Sequence, residues 1–287
     1  MKKIAQFLFT SGSPRRISPP MNKDFKKNTE WDKTDQTYYG SSTNDNGTII
    51  YHYTEAYLEK KNKNKFLNNT KVGNEISRIR RLLKEDLKSK DEKTRMMALM
   101  VTLVDQAYFR IGNSKSEKED IRGLHNLQDK HITINSDIHF KYRGKDKIIQ
   151  HQIIVDEKIK FILKKLLANK KPNDYIFTFK DDGEDKIITP DMINDYLKND
   201  LDCPVTIHKF RTYHATRLAK EELDKIKVGD KKESSEIIDE FNEAMDRVAE
   251  KLGHTTCNTT IKHYIDHEIL DEFFKKHKVR PPKSIKN

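Results

Sequence analysis

The chain has 287 residues, with 56 Lys or Arg against 45 Asp or Glu, which gives a formal net charge of +11. This length allows one large or two smaller hydrophobic cores. The basic excess favours a polyanionic partner, nucleic acid first, although a Lys- and Asn-rich proteome would produce the same excess. Its two cysteines exclude a disulfide framework. No apolar run of ~18 residues and no signal-peptide cleavage site occurs, so we expect an intracellular protein without a membrane anchor.

Residues 1–73 predict a small β-rich domain. Short aromatic or β-branched runs, at Phe7–Phe9 and Thr48–Tyr53, are separated by turn-forming residues. Phe7–Phe9 is interpreted as an edge strand. Tyrosines such as Tyr51 and Tyr53 lie among lysines, which suits a surface that meets a sugar–phosphate backbone. The alternative is ordinary strand packing with a solvated lysine face.

Helical periodicity begins near Asn74, and a second helix is predicted from Glu92 to about Ile111 with Asp91 as its cap. The apolar residues of this second helix are dense enough for a buried element. Arg110 lies at its predicted end. The alternative role for an arginine at that place is to cap the last helical carbonyls.

A β segment follows. Three strands are predicted, at His131–Ile134, Ile138–Tyr142 and Ile148–Ile154. Lys145 and Lys147 fall in the hairpin turn between the last two strands, where a side chain can reach outward into a groove. The alternative is that these are solvated turn lysines.

The second half of the chain predicts four helices. They are residues 156–168, 189–201, 206–223 and a long amphipathic helix that ends at Gly253. His208 and Arg211 are three residues apart in the third of these, so they share one helical face. The basic, proline-containing tail from Lys275 to Asn287 is predicted to be frayed.

The stretch from Leu252 to Asp266 carries a single tyrosine, Tyr264, soon after a Gly-His pair. A phenol with a pKa near ~10 is a poor nucleophile at neutral pH. It becomes useful where positive charge and room for a phosphate await it. The cations that could supply this charge are Arg110, Lys145, Arg211 and His254. We therefore hypothesise that Tyr264 attacks a DNA phosphodiester while these four stabilise the developing charge.

Five segments together resemble the type IB DNA topoisomerases, especially their compact poxvirus, giant-virus and bacterial branch. In chain order they are Tyr108–Asn113, Gly144–Lys147, Phe210–Tyr213, Leu252–Thr255 and Lys262–Asp266. The N-terminal part, with Ile17–Pro20 and with Tyr51–Tyr53 followed by a Lys-rich helix, is similar to the cap domain of that family, so the resemblance covers nearly the whole chain. Each segment alone is weakly specific, whereas five in this order are strongly specific.

The resemblance implies an α+β fold. A small β-rich N-terminal domain, residues 1–73, would pair with a mostly α-helical catalytic domain, residues 74–287, that carries a three-stranded β-hairpin region. The two would form a clamp around double-stranded DNA, and we expect a monomer. Members of the family cut one strand, become joined to its 3′ phosphate through a tyrosine, let the duplex swivel and religate it.

For the chemistry, the resemblance implies that Tyr264 is the nucleophile. Arg110 and Arg211 would bind non-bridging phosphate oxygens, because guanidinium groups match them bidentately and stay charged. His254 would add a third hydrogen bond; its alternative role is that of a helix-cap histidine. Lys145 would act as the general acid that protonates the departing 5′ oxygen.

Further DNA contacts are expected outside the catalytic set. The candidates are Tyr51, Tyr53, Lys147, His208 and Lys262. No metal is expected, because the carboxylates are not spaced for two-metal chemistry and the pair His263 and His267 lacks a third ligand. No glycine-rich phosphate loop ending in Lys-Ser or Lys-Thr occurs, so neither ATP nor another cofactor is expected.

Two alternatives stay open. The first is a tyrosine recombinase or integrase, because the His208 and Arg211 pair and the Gly-His before Tyr264 also fit that class, which shares the fold and the first chemical step. The second is a non-catalytic DNA-binding protein in which Tyr264 is only a core residue. The lysine hairpin and the N-terminal domain favour the topoisomerase.

Overall fold

The computed structural model describes residues 26–27, 38–43, 47, 49–53, 55–112, 120–227 and 233–282. The chain divides into two compact units, residues 1–67 and 68–287, and each is described by itself. The predicted edge strand at Phe7–Phe9 and the segment Ile17–Pro20 lie outside the described residues.

The first unit contains a three-stranded antiparallel sheet. Its strands are β1 (Lys26–Lys27), β2 (Gly40–Thr43) and β3 (Ile49–His52), paired in the order β1-β2-β3. The strand predicted near residues 48–53 is therefore present. Tyr51 is exposed on β3, with its ring edge-on to Tyr38 at 4.6 Å between centroids. Tyr53 stacks on Tyr57 at 4.7 Å.

The first long helix, α1, spans Glu55–Asp86, so the Lys-rich helix expected after Tyr53 is present, and it begins well before Asn74, where the apolar periodicity starts. Residues 55–73 are rich in Glu, Lys and Asn and lack the apolar repeat that marks an amphipathic helix. Glu, Lys, Ala and Leu nevertheless favour helix. Val72 and Ile79, in the second half of α1, are buried positions of the kind that the apolar repeat detects.

The remaining elements belong to the second unit. They are α2 (Glu92–Ala107), β4 (Ile132–Ile134), β5 (Ile138–Arg143), β6 (Ile149–Ile154), α3 (Glu157–Leu167), β7 (Thr178–Asp181), β8 (Glu184–Ile187), α4 (Pro190–Asp195), α5 (Ile207–Leu223), α6 (Ser234–Lys251), α7 (Cys257–His263) and α8 (His267–His277). Strands β4, β5 and β6 form one antiparallel sheet, as predicted, and β7 pairs with β8 in a separate hairpin. None of the described helices has the length and hydrophobicity that a membrane crossing needs.

Two predicted helix ends are wrong. Helix α2 ends at Ala107 rather than near Ile111, because Tyr108 takes a left-handed conformation (φ 57°) and donates its N–H to the Val104 carbonyl. Arg110 therefore lies in the segment after the helix and does not cap it. The tail predicted to fray from Lys275 is helical to His277, since α8 is anchored by buried apolar residues on its inner face, Leu270, Phe273 and Phe274.

Two clusters of buried apolar side chains fill the second unit. One extends from α1 to the start of α5 and includes Phe109, Phe140 and Phe210. The other joins the rest of α5 to α6, α7 and α8 and includes Phe241 and Tyr264. Helix α5 contributes to both clusters. Its Arg211, which directly follows Phe210, therefore lies where one core gives way to the other.

Candidate active site

The lysine hairpin is a tight turn between β5 and β6. Asp146 and Lys147 are its two central residues, and both have positive φ, 60° and 61°, as in the two-residue turns that suit the twist of paired strands. Gly144 donates its N–H to the Ile148 carbonyl at 2.7 Å, which closes the strands just below the turn. Lys145, the first residue of the turn, is exposed and lines the cavities described below.

Arg110 is held in place by backbone bonds to the segment that precedes the sheet. Its carbonyl accepts the N–H of Leu124 at 2.9 Å, and Arg122 donates its N–H to the Arg143 carbonyl of β5 at 2.7 Å. Gly123 permits this arrangement, because a Cβ there would lie 2.3 Å from the Gly112 Cα. The backbone that carries Arg110 is thereby linked to the strand that leads into the lysine hairpin.

Tyr264 ends α7 and is only 5% exposed. Its N–H donates to the Thr260 carbonyl at 2.9 Å, and its own carbonyl accepts from the Thr216 hydroxyl of α5 at 3.3 Å. The side chain of Arg110 reaches across, and its Nη2 donates to the Tyr264 Oη at 2.7 Å. Two residues 154 positions apart in the chain are thus in direct contact through a guanidinium and a hydroxyl.

Arg211 is 3% exposed and lies against the same tyrosine. Its Nη2 donates to the Leu252 carbonyl at 2.9 Å, and its guanidinium carbon lies 5.8 Å from the centre of the Tyr264 ring. Burial, assisted by the charge of Arg110, lowers the pKa of Arg211 to about 10, so the group still carries its charge at neutral pH. Its Nε is enclosed and has no hydrogen-bond partner among the described residues.

His254 is held as a neutral imidazole. Burial, followed by the charges of Arg211 and Arg110, lowers its pKa to about 3. Its Nε2 lies 3.1 Å from the Arg211 Nη2 and its Nδ1 lies 2.8 Å from the Thr260 Oγ1. Because a guanidinium can only donate, Nε2 accepts here and the proton resides on Nδ1, which donates to Thr260. The His254 and Tyr264 rings are 4.3 Å apart between centroids.

Two cavities lie beside these side chains, and Tyr264 itself lines neither of them. The smaller, of about 70 Å³, is lined by Arg110, Lys145, Arg211 and His254 among others. The larger, of about 750 Å³, shares Arg110, Lys145 and Arg211 with it and adds Lys147 and His208. Its lining contains five Lys or Arg side chains and one carboxylate, that of Asp146. Arg122 is paired with Asp120, while the other four cations have no ion-pair partner among the described residues. The arrangement is suited to an anion, because cations facing a cleft attract negative charge.

The structure thus brings together all five predicted catalytic residues, and two of the predicted DNA contacts, Lys147 and His208, line the larger cavity. His208 also packs edge-on to Tyr264 at 5.5 Å between ring centroids. Lys262 is exposed near the end of α7 and lines neither cavity. Tyr51 and Tyr53 belong to the first unit.

Residues that the sequence analysis missed complete the site. Arg122 lines both cavities. Gln150 joins the lysine hairpin to the segment Leu252–Thr255, which we call the histidine turn, because its Nε2 donates to the Gly253 carbonyl at 3.0 Å. Gly253 has a positive φ of 64°, and a Cβ there would lie 2.0 Å from the Gln150 Oε1. The alternation of inward-facing and outward-facing residues along β6 was visible in the sequence. The contact of Gln150 with Gly253, across the site, was not. No group of three metal-ligating side chains occurs in the described part of the chain.

The family model for the catalytic core of eukaryotic DNA topoisomerase I matches residues 54–279. The chain is 30% identical to DNA topoisomerase 1 of Xenopus laevis over 189 residues, which cover 62% of this chain and 22% of that protein. It is 28% identical to DNA topoisomerase 1 of Homo sapiens over 189 residues, covering 62% of this chain and 23% of that protein. The matched region is therefore less than a quarter of either relative.

A solved structure is also similar to this chain. It is the XerH site-specific recombinase bound to palindromic difH substrate in a post-cleavage complex, with a TM-score of 0.45 and 16% sequence identity. The similarity covers 69% of this chain and 50% of that chain.

Proposed function

The chain belongs to the family of the eukaryotic DNA topoisomerase I catalytic core, and we propose that it relaxes supercoiled duplex DNA through a transient phosphotyrosyl break in one strand. One observation above all supports this proposal, the 2.7 Å contact of the Arg110 guanidinium with the Tyr264 hydroxyl. Arg211 and His254 lie against the same phenol. A tyrosine that was only a core residue would not need three polar neighbours around its ring and hydroxyl.

In the proposed cleavage, the Tyr264 oxygen forms a bond to the scissile phosphorus as the bond from phosphorus to the 5′ oxygen breaks. The phenol proton passes to water, and Lys145 supplies the proton that the departing 5′ oxygen takes up. The 3′ phosphate stays on the tyrosine while the duplex swivels. Religation is the same sequence in reverse. The phosphotyrosyl bond replaces a phosphodiester bond, so no outside energy is needed.

Arg110 and Arg211 would stabilise the negative charge that builds up during the attack. Each can direct an edge of its guanidinium at a non-bridging oxygen of a phosphate that lies next to the Tyr264 hydroxyl. Donors that act on charge present only in the transition state lower the barrier directly. The enclosed, unpartnered Nε of Arg211 is consistent with this role, because buried polar atoms rarely lack a partner when a site is filled.

His254 would act after a change of tautomer. In the DNA-free arrangement its Nε2 accepts from Arg211 and cannot donate to phosphate. If Arg211 turns toward the phosphate, the Thr260 hydroxyl can reverse its role and donate to Nδ1, which leaves the proton on Nε2. His254 then becomes a neutral donor to a non-bridging oxygen, a role that its strongly lowered pKa suits.

We further propose that double-stranded DNA is bound by a monomer, with residues 1–73 as the clamp domain and Tyr51 and Tyr53 among its contacts. The protein would act wherever its DNA lies within the cell. The finer placement in the poxvirus, giant-virus and bacterial branch rests on the five motifs alone, since the two relatives named above are vertebrate proteins. The phosphate charge would be met by protein cations, without ATP or an obligatory metal ion.

The proposal is tested by relaxation of plasmid DNA in EDTA without ATP. We expect both positive and negative supercoils to be relaxed, and a covalent protein adduct on the 3′ phosphate of a cut duplex oligonucleotide. Tyr264→Phe should bind the oligonucleotide normally and form no adduct. Adduct formation by that variant, or a strict need for magnesium or ATP, would contradict the mechanism. Poor relaxation with strand exchange between paired sites would support a recombinase instead.

A further inference from the structure

A second tyrosine borders the small cavity. Tyr142 lies on β5, three residues before Lys145, and is 4% exposed. Its ring is nearly parallel to that of Phe109, at 8° and 6.3 Å between centroids, and Phe109 directly precedes Arg110. The residue lines the same cavity as Arg110 and His254. Neither the resemblance nor the hypothesis built on Tyr264 gave it a role.

The Tyr142 hydroxyl forms no hydrogen bond with any of the described residues, and it is not among their fully enclosed polar atoms. Buried tyrosines usually find a partner for this group. Because the ring is enclosed by the core, the cavity is the side from which a partner can come. An unpartnered hydroxyl at the wall of a cation-lined cavity indicates a ligand that accepts hydrogen bonds.

The chemistry of the surroundings restricts that ligand to an anion. Arg110 and Arg211 are near enough for their charges to act on the Tyr142 phenol, although burial dominates and raises its pKa. The phenol therefore stays protonated at neutral pH and is a donor. Cross-strand pairing places Gln150 opposite Tyr142, and Gln150 is itself bonded to the turn that carries His254. Donors from β5, α5 and the histidine turn thus converge on one small volume.

We propose that the Tyr142 hydroxyl donates a hydrogen bond to a non-bridging oxygen of the phosphate that Tyr264 attacks. It joins Arg110, Arg211 and His254 as a further donor and takes no part in proton transfer to the leaving oxygen. This inference rests on the proposed function and adds a catalytic residue to it. Because Tyr142 lies on the strand that leads into the lysine hairpin, its contact with the phosphate is also coupled to the placement of Lys145.

The first test is the Tyr142→Phe variant, which removes only the hydroxyl. We expect single-turnover cleavage of a duplex oligonucleotide to slow by roughly 10- to 100-fold, as for a lost hydrogen bond to a charged group. The affinity for DNA and the melting temperature should change little. Tyr196→Phe is the matched control, because that hydroxyl is bonded to Asp86 and Tyr196 lines neither cavity. It should lower the melting temperature and leave cleavage unchanged.

The second test replaces one non-bridging oxygen of the scissile phosphate with sulfur, a weaker hydrogen-bond acceptor, in each of the two diastereomers. With one diastereomer, cleavage by the parent should slow more than cleavage by Tyr142→Phe does. A merely structural role of the hydroxyl would not produce this difference. If the parent forms the Tyr264 adduct and Tyr142→Phe cleaves within twofold of the parental rate, the inference is overturned and the proposed function stands. Equal sulfur effects in both proteins would also overturn it. A parent without any adduct would overturn both.

Discussion

Tyr264 and Lys145 border the same group of cations, yet they differ in burial and in hydrogen bonding. Tyr264 is enclosed in the second core, with hydrogen bonds from Arg110 at its hydroxyl and from Thr216 at its carbonyl. Lys145 is exposed on a turn of two positive-φ residues, and its side chain has no hydrogen bond or ion pair with any described residue.

The difference indicates how the two ends of the proposed reaction are prepared. In the proposed mechanism, Tyr264 and Arg110 are in contact before DNA arrives, which saves reorganisation during the reaction, whereas Arg211 has to turn and His254 has to change tautomer. In the same mechanism, Lys145 gains its partner only when the 5′ oxygen is present. Substitutions at the Tyr264 end should therefore disturb binding of the transition state, whereas substitutions at the hairpin should act on the leaving group.

Among substitutions that distinguish the Tyr264 end of the proposed reaction from the lysine-hairpin end, Lys145→Ala is expected to have the largest effect. Loss of a general acid should slow cleavage by roughly 10²- to 10⁴-fold. A substrate with sulfur in place of the bridging 5′ oxygen should restore most of the rate, because a thiolate leaves without a proton far more readily than an alkoxide. Single-turnover cleavage of the two substrates measures this.

Lys141→Ala is the control for that variant, since Lys141 is also an exposed lysine of β5 but lies outside both cavities. It should cleave both substrates at the parental rate. If the sulfur substrate failed to rescue Lys145→Ala, the lysine would not be the acid, and the contrast drawn above between the two ends would be lost.

Arg110 touches Tyr264 and lines both cavities with Lys145, so its removal should affect the phosphorus end. Arg110→Ala is expected to slow cleavage by about 10²- to 10³-fold. The sulfur leaving group should not rescue it. Arg110→Lys should recover little of the rate, because one ammonium cannot bond the Tyr264 hydroxyl and a phosphate oxygen in the way that a fork can.

The control for Arg110 is Arg78→Ala, which removes a guanidinium paired with Glu75 on α1. Both variants should melt within a few degrees of the parent, as determined by thermal unfolding. A large loss of melting temperature for Arg110→Ala alone would instead assign Arg110 a structural role.

A smaller effect is expected in the pH dependence of stability. His254 has a folded pKa of about 3, lowered first by burial and then by neighbouring cations, against about 6.5 in the unfolded chain. Between these values the unfolded state binds one more proton, so the free energy of unfolding falls as pH drops from 6.5. The contribution of one such group is at most about 1.4 kcal/mol per pH unit.

His254→Gln should therefore flatten the decline of the free energy of unfolding between pH 6.5 and 4.5, measured by urea denaturation. The decline should not vanish, because burial also lowers the pKa of His214, which stays bonded to Asp105. An unchanged slope in the variant would mean that His254 is not held neutral by its surroundings.

The local signals in the sequence identified most elements. Asp91, Asp156 and Thr189 cap the helices that were predicted to begin beside them. The hairpin of β7 and β8 was missed because its strands are largely charged, although Asp182 and Gly183, both with positive φ, form the turn that a sequence can reveal. The end of α2 was missed because the left-handed Tyr108 is a conformation that its residue type does not favour.

The site was predictable only in part, for a physical reason. The order of the cationic segments pointed to Arg110, Lys145, Arg211 and His254, whose residue types suit phosphate chemistry. Tyr142 and Gln150 line the cavity as a cross-strand pair, and this placement depends on the register of β5 and β6. Register between distant strands and the approach of separate turns are tertiary properties, which local pattern does not contain.

The smallest effect is expected from Lys147→Gly, which should raise the stability of the protein and weaken its binding to DNA. A lysine at φ 61° is in a conformation that costs a residue with a Cβ about 1–2 kcal/mol and costs glycine almost nothing. Lys147→Gly should therefore stabilise the protein by about 0.5–1 kcal/mol, after allowance for the greater freedom of glycine in the unfolded chain. It should also weaken DNA binding, with the slope of log affinity against log salt reduced by about one. A variant that gained stability and kept the parental salt slope would show that the strained lysine at this turn does not contact the DNA backbone.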